Sequence, residues 1–117
     1  MRRTPATALV LVVAAMIGCG GSDVSRAVGA RCDSSDECDD RCLAPTATWP
    51  GGMCTLSCDD DGDCPDDARC AAEEGGVCLF ECNEPGTLGD CGFLGDGWTC
   101  QTVAGRPEGE VNVCRGS

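Results

Sequence analysis

Between Cys32 and Cys114 the cysteines recur in three groups of four, and that register restricts the fold more tightly than anything else in the chain. The first group reads Cys32-DSSDE-Cys38-DDR-Cys42-LAPTATWPGGM-Cys54 and the second Cys58-DDDGD-Cys64-PDDAR-Cys70-AAEEGGV-Cys78. The third is Cys82-NEPGTLGD-Cys91-GFLGDGWT-Cys100-QTVAGRPEGEVNV-Cys114. The joints are three residues long, Thr55-Leu56-Ser57 and Leu79-Phe80-Glu81, each with an apolar residue in the middle. The repetition reaches beyond sulfur. An acid stands directly before each second cysteine (Glu37, Asp63, Asp90), an arginine before two of the third cysteines (Arg41, Arg69), and Gly-Gly plus an apolar residue before two of the fourth (Gly51-Gly52-Met53, Gly75-Gly76-Val77). This is an internal repeat whose last copy departs: Thr99 replaces the arginine, Glu110-Val111-Asn112-Val113 replaces Gly-Gly-apolar, and the loops are longer, as expected of a terminal cap.

A chain patterned this way has little else to fold around. From Cys32 onward the large apolar residues are Leu43, Trp49, Met53, Leu56, Val77, Leu79, Phe80, Leu88, Phe93, Leu94, Trp98, Val103, Val111 and Val113, too thinly spread for one large core. Cross-links must substitute, each worth roughly 2 to 4 kcal/mol through restriction of the unfolded chain. Apolar residues hold helical spacing for no more than one turn after Ala30, and Gly and Pro punctuate every loop. The arms ending Gly-Gly-Met-Cys-Thr-Leu, Gly-Gly-Val-Cys-Leu-Phe and Val-Asn-Val-Cys are predicted to be return strands of small hairpins. The fold class expected is small and disulfide-rich: three tandem four-cysteine units with short β-hairpins and little helix beyond the leader.

Four cysteines per unit allow three pairings, and spacing alone does not choose among them. We expect bridges to stay within units, because a bridge between units would not explain why the set of four recurs. Interlaced loops constrain the chain more than separate ones, which favours first to third and second to fourth: Cys32 with Cys42, Cys38 with Cys54, Cys58 with Cys70, Cys64 with Cys78, Cys82 with Cys100 and Cys91 with Cys114.

The thirteenth cysteine, Cys19, stands apart. Ahead of it Met1-Arg2-Arg3 gives a positive start and Ala6 to Ile17 an apolar run with only Thr7 polar, the layout of an export signal. The run falls short of the roughly 20 residues a membrane span requires. The residues Met16-Ile17-Gly18-Cys19 resemble the lipobox of bacterial lipoproteins, in which the cysteine becomes the lipidated first residue of the mature chain. The resemblance implies a signal peptide over 1–18, acyl groups on Cys19, and, with Gly20 rather than Asp following, passage to the outer membrane or cell surface. Gly20 to Arg26 has no periodicity, and 19–31 is expected to be lipidated cysteine and flexible tether, followed by repeats over 32–57, 58–81 and 82–117. The tandem cysteine pattern is similar to cysteine-rich repeats of exported bacterial lipoproteins. It is more loosely similar to the N-terminal cysteine-rich region of Dickkopf proteins and to EGF-like modules, although it lacks the adjacent cysteine pair of the former and the single-residue cysteine spacing of the latter.

Charge narrows the partners. The net charge of −12 becomes −14 once Arg2 and Arg3 leave with the leader, and nucleic acid and anionic surfaces repel such a chain. Metal thiolate clusters favour C-x2-C knuckles, which are absent here, so no metal and no cofactor is expected. Asp59-Asp60-Asp61-Gly62-Asp63 invites a calcium reading, but with Gly62 at the sixth position of an EF-hand loop the first and twelfth would be Ser57 and Ala68. No histidine is present to serve as a base, and the carboxylates lie on turns without an apolar pocket, so no catalytic residue is expected and the chain reads as non-enzymatic. Trp49 and Trp98 are expected to pack over neighbouring disulfides, and if exposed would be anchors for a protein or glycan partner. The expected role is a membrane-anchored acidic module for binding, adhesion or structure. The alternatives are a protease-inhibitor-like domain exposing Thr46 to Gly52 and a calcium-dependent structural module.

Overall fold

The computed structural model describes residues 24–116, so Cys19 and the leader lie outside the described residues. Each unit contributes one antiparallel hairpin: β1 (Arg41–Leu43) with β2 (Met53–Thr55), β3 (Ala68–Ala71) with β4 (Val77–Phe80), and β5 (Thr99–Ala104) with β6 (Glu110–Arg115). The third and fourth cysteines of a unit are directly opposite one another in the ladder, as Cys42 and Cys54, Cys70 and Cys78, Cys100 and Cys114. Side chains that face each other across an antiparallel pair leave the same face of the sheet. The loop carrying the first two cysteines therefore lies over that face and is fastened at two points. The bridges are Cys32–Cys42 and Cys38–Cys54, Cys58–Cys70 and Cys64–Cys78, Cys82–Cys100 and Cys91–Cys114, the interlaced order throughout. The Sγ atoms of Cys32, Cys38 and Cys42 lie within 4.8 Å of one another, as do those of Cys58, Cys64 and Cys78 and those of Cys82, Cys91 and Cys114, so the two bridges of each unit sit side by side.

Two hydrogen bonds shape the fastened loop. The acid before the second cysteine accepts the backbone N–H of the residue after the first: Asp33 N to Glu37 Oε1 at 2.6 Å, Asp59 N to Asp63 Oδ2 at 2.9 Å and Asn83 N to Asp90 Oδ1 at 3.0 Å. The recurring acid is thus a loop clasp. A second contact holds the N–H of the third cysteine, to Ser35 Oγ at 3.2 Å in unit 1 and Asp61 Oδ1 at 2.8 Å in unit 2. In unit 3 the longer loop supplies a backbone acceptor instead, Thr87 O at 2.8 Å.

The residues before each first cysteine run beside the strand that carries the fourth. Cys78 N donates to Leu56 O at 3.0 Å, and isolated bridges join Ser57 to Val77 and Glu81 to Val113. Unit 1 does the same with residues expected to be tether: Gly29 N donates to Cys54 O at 2.9 Å and Cys54 N to Ala30 O at 2.8 Å. Val28, 1% exposed, enters the core. The boundary placed at Cys32 is corrected accordingly. The folded module includes the turn from Ser25 to Gly29, because the edge of β2 needs a backbone partner just as β4 and β6 do.

The units do not hang as separate beads. One contiguous core collects Val28, Leu43, Trp49 and Met53 from unit 1 and its lead-in, Val77, Leu79 and Phe80 from unit 2, and Leu94, Trp98 and Val113 from unit 3. Of its nineteen buried members seven are half-cystines, so sulfur supplies the volume that the sparse apolar residues cannot. Thr55, fully buried on β2, donates its hydroxyl to Cys78 O at 2.6 Å and ties units 1 and 2 together. The tip of the β5–β6 hairpin grips unit 2: Ala72 N donates to Ala104 O, Arg106 N to Cys70 O, and the Arg106 guanidinium to Gly75 O and the Asp59 carboxylate.

Candidate functional site

The tryptophans are placed by the third unit. Trp49 and Trp98 are 4% and 1% exposed and pack against each other, centroids 6.5 Å apart, in a core cluster that also holds Cys91, Cys100 and Cys114. Trp98 Nε1 donates to Pro50 O at 3.0 Å, and Gly116 N donates to Thr48 O at 2.7 Å, closing the end of unit 3 onto the long loop of unit 1. The Arg115 guanidinium lies 5.7 Å from the Trp49 ring centroid and is held there by Glu73 at 3.0 Å and Gln101 Oε1 at 3.1 Å. Thr99 and Arg115 are cross-strand partners, so the arginine that unit 3 lacks before its third cysteine arrives from the facing strand.

Beside this stack an open cleft of about 510 Å³ lies at the seam of units 1 and 2, lined among others by Arg41, Leu43, Thr46, Trp49 and Glu74. Arg41 reaches into the seam from β1 and donates to Glu74 O at 3.2 Å and toward Ser57 Oγ at 3.5 Å. Its guanidinium is thus engaged by uncharged oxygens. Its counterpart Arg69 instead pairs with Glu81 at 3.1 Å and Asp61 at 3.2 Å; the Glu81 carboxylate first and Asp61 second raise its pKa above the ordinary value. A cation that forms no ion pair among the described residues, together with a hydroxyl and an apolar wall, can hold an acceptor-bearing ligand. The cleft lining contains no histidine and its one cysteine, Cys42, is in a disulfide. The loop from Thr46 to Gly52 is a compact turn whose threonine Oγ1 accepts the N–H groups of Thr48 and Trp49, with the indole turned inward.

The aspartates suggested for calcium are engaged within the protein. Asp60 Oδ1 accepts Gly62 N at 2.8 Å and Asp63 clasps Asp59 N. Asp61 spans Cys70 N and Arg69, and Asp59 pairs with Arg106 at 3.1 Å. The run is an anion-rich turn whose side chains replace missing backbone partners. These contacts were not legible beforehand, since Arg106 lies 47 positions from Asp59. Cys19 lies outside the described residues, and among those described no helix is long and apolar enough to cross a membrane. No family model, curated protein or solved structure matches the chain.

Proposed function

We propose that the protein is a lipid-anchored envelope protein whose disulfide-stapled acidic module is a non-enzymatic binding unit for a protein or glycan on the extracytoplasmic side. The observation that carries this reading is sulfur arithmetic. Six bridges consume the twelve cysteines from Cys32 to Cys114, and the one left of thirteen is Cys19, directly behind an export-type leader and inside a lipobox-like sequence. A free thiol in an oxidising compartment invites mispairing, whereas thioether lipidation removes it from exchange. Gly20 after the cysteine supports an outer-membrane destination. The cleft at Arg41 is the surface best suited to a partner, having a guanidinium that forms no ion pair among the described residues and is engaged by Glu74 O and Ser57 Oγ.

The anchor is tested by expression in a bacterial host fed a radiolabelled fatty acid. Wild-type chain should take up label and partition into detergent, and Cys19→Ala should accumulate as unlabelled precursor; normal processing of that variant would sink the anchor. Binding is tested by pull-down with the oxidised, lipid-free module beside Arg41→Ala. A partner retained equally by both would remove the cleft from the reading. The protease-inhibitor alternative has less support, because the Thr46–Gly52 loop is folded around its own threonine instead of standing extended.

A further inference from the structure

Three large apolar side chains stay exposed among the described residues: Val24 at 47%, Leu88 at 55% and Phe93 at 44%. Val24 and Phe93, far apart in sequence, both come up to the Phe80 ring, and Leu88 lies beside the residue that precedes Phe93. The Cα of Val24 and the ring of Phe80 approach the place a Cβ on Gly29 would occupy, to 3.2 and 2.9 Å. Phe93 meets the same Phe80 ring edge-on, centroids 5.2 Å apart. Leu88 Cδ2 lies 4.0 Å from the corresponding position on Gly92, the neighbour of Phe93. Solvent-exposed apolar residues on soluble proteins are commonly scattered, whereas contiguous ones mark an interaction surface. Beside the patch the Arg31 guanidinium rests against Gly95, two residues from Phe93, and it forms no ion pair among the described residues.

We propose that Val24, Leu88 and Phe93 form a membrane-docking face that lays the module against the bilayer holding its anchor, with Arg31 at the level of the lipid phosphates. The proposal rests on the lipoprotein reading. Its occupant is fixed by covalent reach. Val24 is five positions after Cys19, and five residues span at most about 18 Å even when fully extended, so an acylated Cys19 keeps this edge at the membrane surface. A patch of this size would not hold a soluble protein on a membrane alone, but an anchor makes the contact intramolecular and raises its effective concentration. Aromatic and aliphatic side chains flanked by an arginine that can reach up to phosphate suit the interfacial zone. The chain's excess of carboxylates, with Asp90 and Asp96 close to Leu88 and Phe93, makes a zwitterionic surface a better match than an anionic one.

The test uses the full acylated chain reconstituted in phosphatidylcholine vesicles whose acyl chains are brominated near the headgroup. Phe93→Trp places a reporter in the patch, and the signal of wild-type Trp49 and Trp98 in the same vesicles is subtracted. The reporter should lose most of its emission to bromine, and adding Val24→Asp and Leu88→Asp should restore it while intact mass still shows six disulfides. An acylated chain whose reporter is unquenched overturns docking and leaves the anchor standing. Quenching that persists in the double aspartate variant overturns the assignment of this face. A purified chain with no acyl mass on Cys19 removes the anchor and docking together.

Discussion

In units 1 and 2 the return strand is entered through Gly51-Gly52 and Gly75-Gly76, all at positive φ, and the hairpins are three or four residues to a strand. In unit 3 the same place is taken by Glu110-Val111-Asn112-Val113 on a six-residue strand. What does not differ is the stapling: the interlaced bridges and the clasp of Glu37, Asp63 and Asp90. Units 2 and 3 also share a donation from the first cysteine to the return arm, Cys58 N to Gly76 O at 3.1 Å and Cys82 N to Asn112 O at 3.0 Å. The comparison separates two jobs. Features common to all units fold each one; the residues added in unit 3 assemble the three, gripping unit 2 with the hairpin tip and unit 1 with Trp98 and Gly116. The third repeat is less an end cap than the piece both others rest on.

The largest expected effect therefore lies at the junction. Trp98→Ala should cost about 4 kcal/mol in urea unfolding, the range for emptying a large buried aromatic site. Trp49→Ala, across the same contact, should cost a similar amount, and a double-mutant cycle should return a coupling of about 1 kcal/mol for the ring pair. Amide exchange sharpens the comparison. If unit 3 is the assembling piece, Trp98→Ala should release protection at Thr48 and Pro50's neighbours in unit 1 while leaving the β3–β4 ladder unchanged. Equal loss throughout would mean the units fold only together.

The staples should rank by loop length. Cys91 and Cys114 close a separation of 23 residues, Cys32 and Cys42 one of only 10. Replacing each pair by serine should remove roughly 3.5 and 2.8 kcal/mol in the chain-entropy treatment, measured by thermal unfolding. A larger loss at Cys32–Cys42 would show that clamping Ala30 and Arg31 against β2 matters more than loop closure.

Glycine tests the difference in the return arms. A Cβ on Gly76, φ 109°, would enter the contact distance of the Cys58 carbonyl oxygen, so Gly76→Ala should cost on the order of 3 kcal/mol from strain and displacement together. Gly109 in the unit 3 turn has φ 83° but open space around it, and Gly109→Ala should cost about 1 kcal/mol. Equal losses would place the requirement in φ alone, not in the approach of the return arm to the first cysteine.

Much of the stapling was legible because it is local. Cysteine order, hairpins and the absence of long helices follow from spacings under two dozen residues, and the structure has the pairing order argued from interlacing. The acid before the second cysteine was visible as a pattern, but its partner, a backbone N–H four to seven residues away, leaves no mark in side-chain identity. The lead-in turn was missed for the same reason: Gly29 and Ala30 pair with Cys54 through backbone atoms, and only Val28 hinted at burial. The Trp49–Trp98 contact joins residues nearly fifty positions apart with no periodicity to announce it, as is usual where assembly, not local propensity, sets the neighbours.

The smallest expected effect distinguishes unit 1 from unit 2. The Ser34 hydroxyl donates to the Asp36 carboxylate, and this hydrogen bond, ahead of the backbone N–H of Asp36 itself, holds the carboxyl below its ordinary value of 3.8. Unit 2 has Gly62 at the matching place and no such group. Because the folded-state value lies below the unfolded one, the charged form is favoured by folding. Its contribution is fully present above the unfolded value and disappears as pH falls through the folded one. Asp36→Asn should therefore be slightly less stable than wild type near neutral pH, and the gap should close in strong acid, read by denaturant midpoints across a pH series. The group is fully exposed, so the gap should also shrink in high salt. A gap that persists unchanged below the folded value would assign it to the turn geometry of Ser35–Glu37 and not to the carboxylate charge.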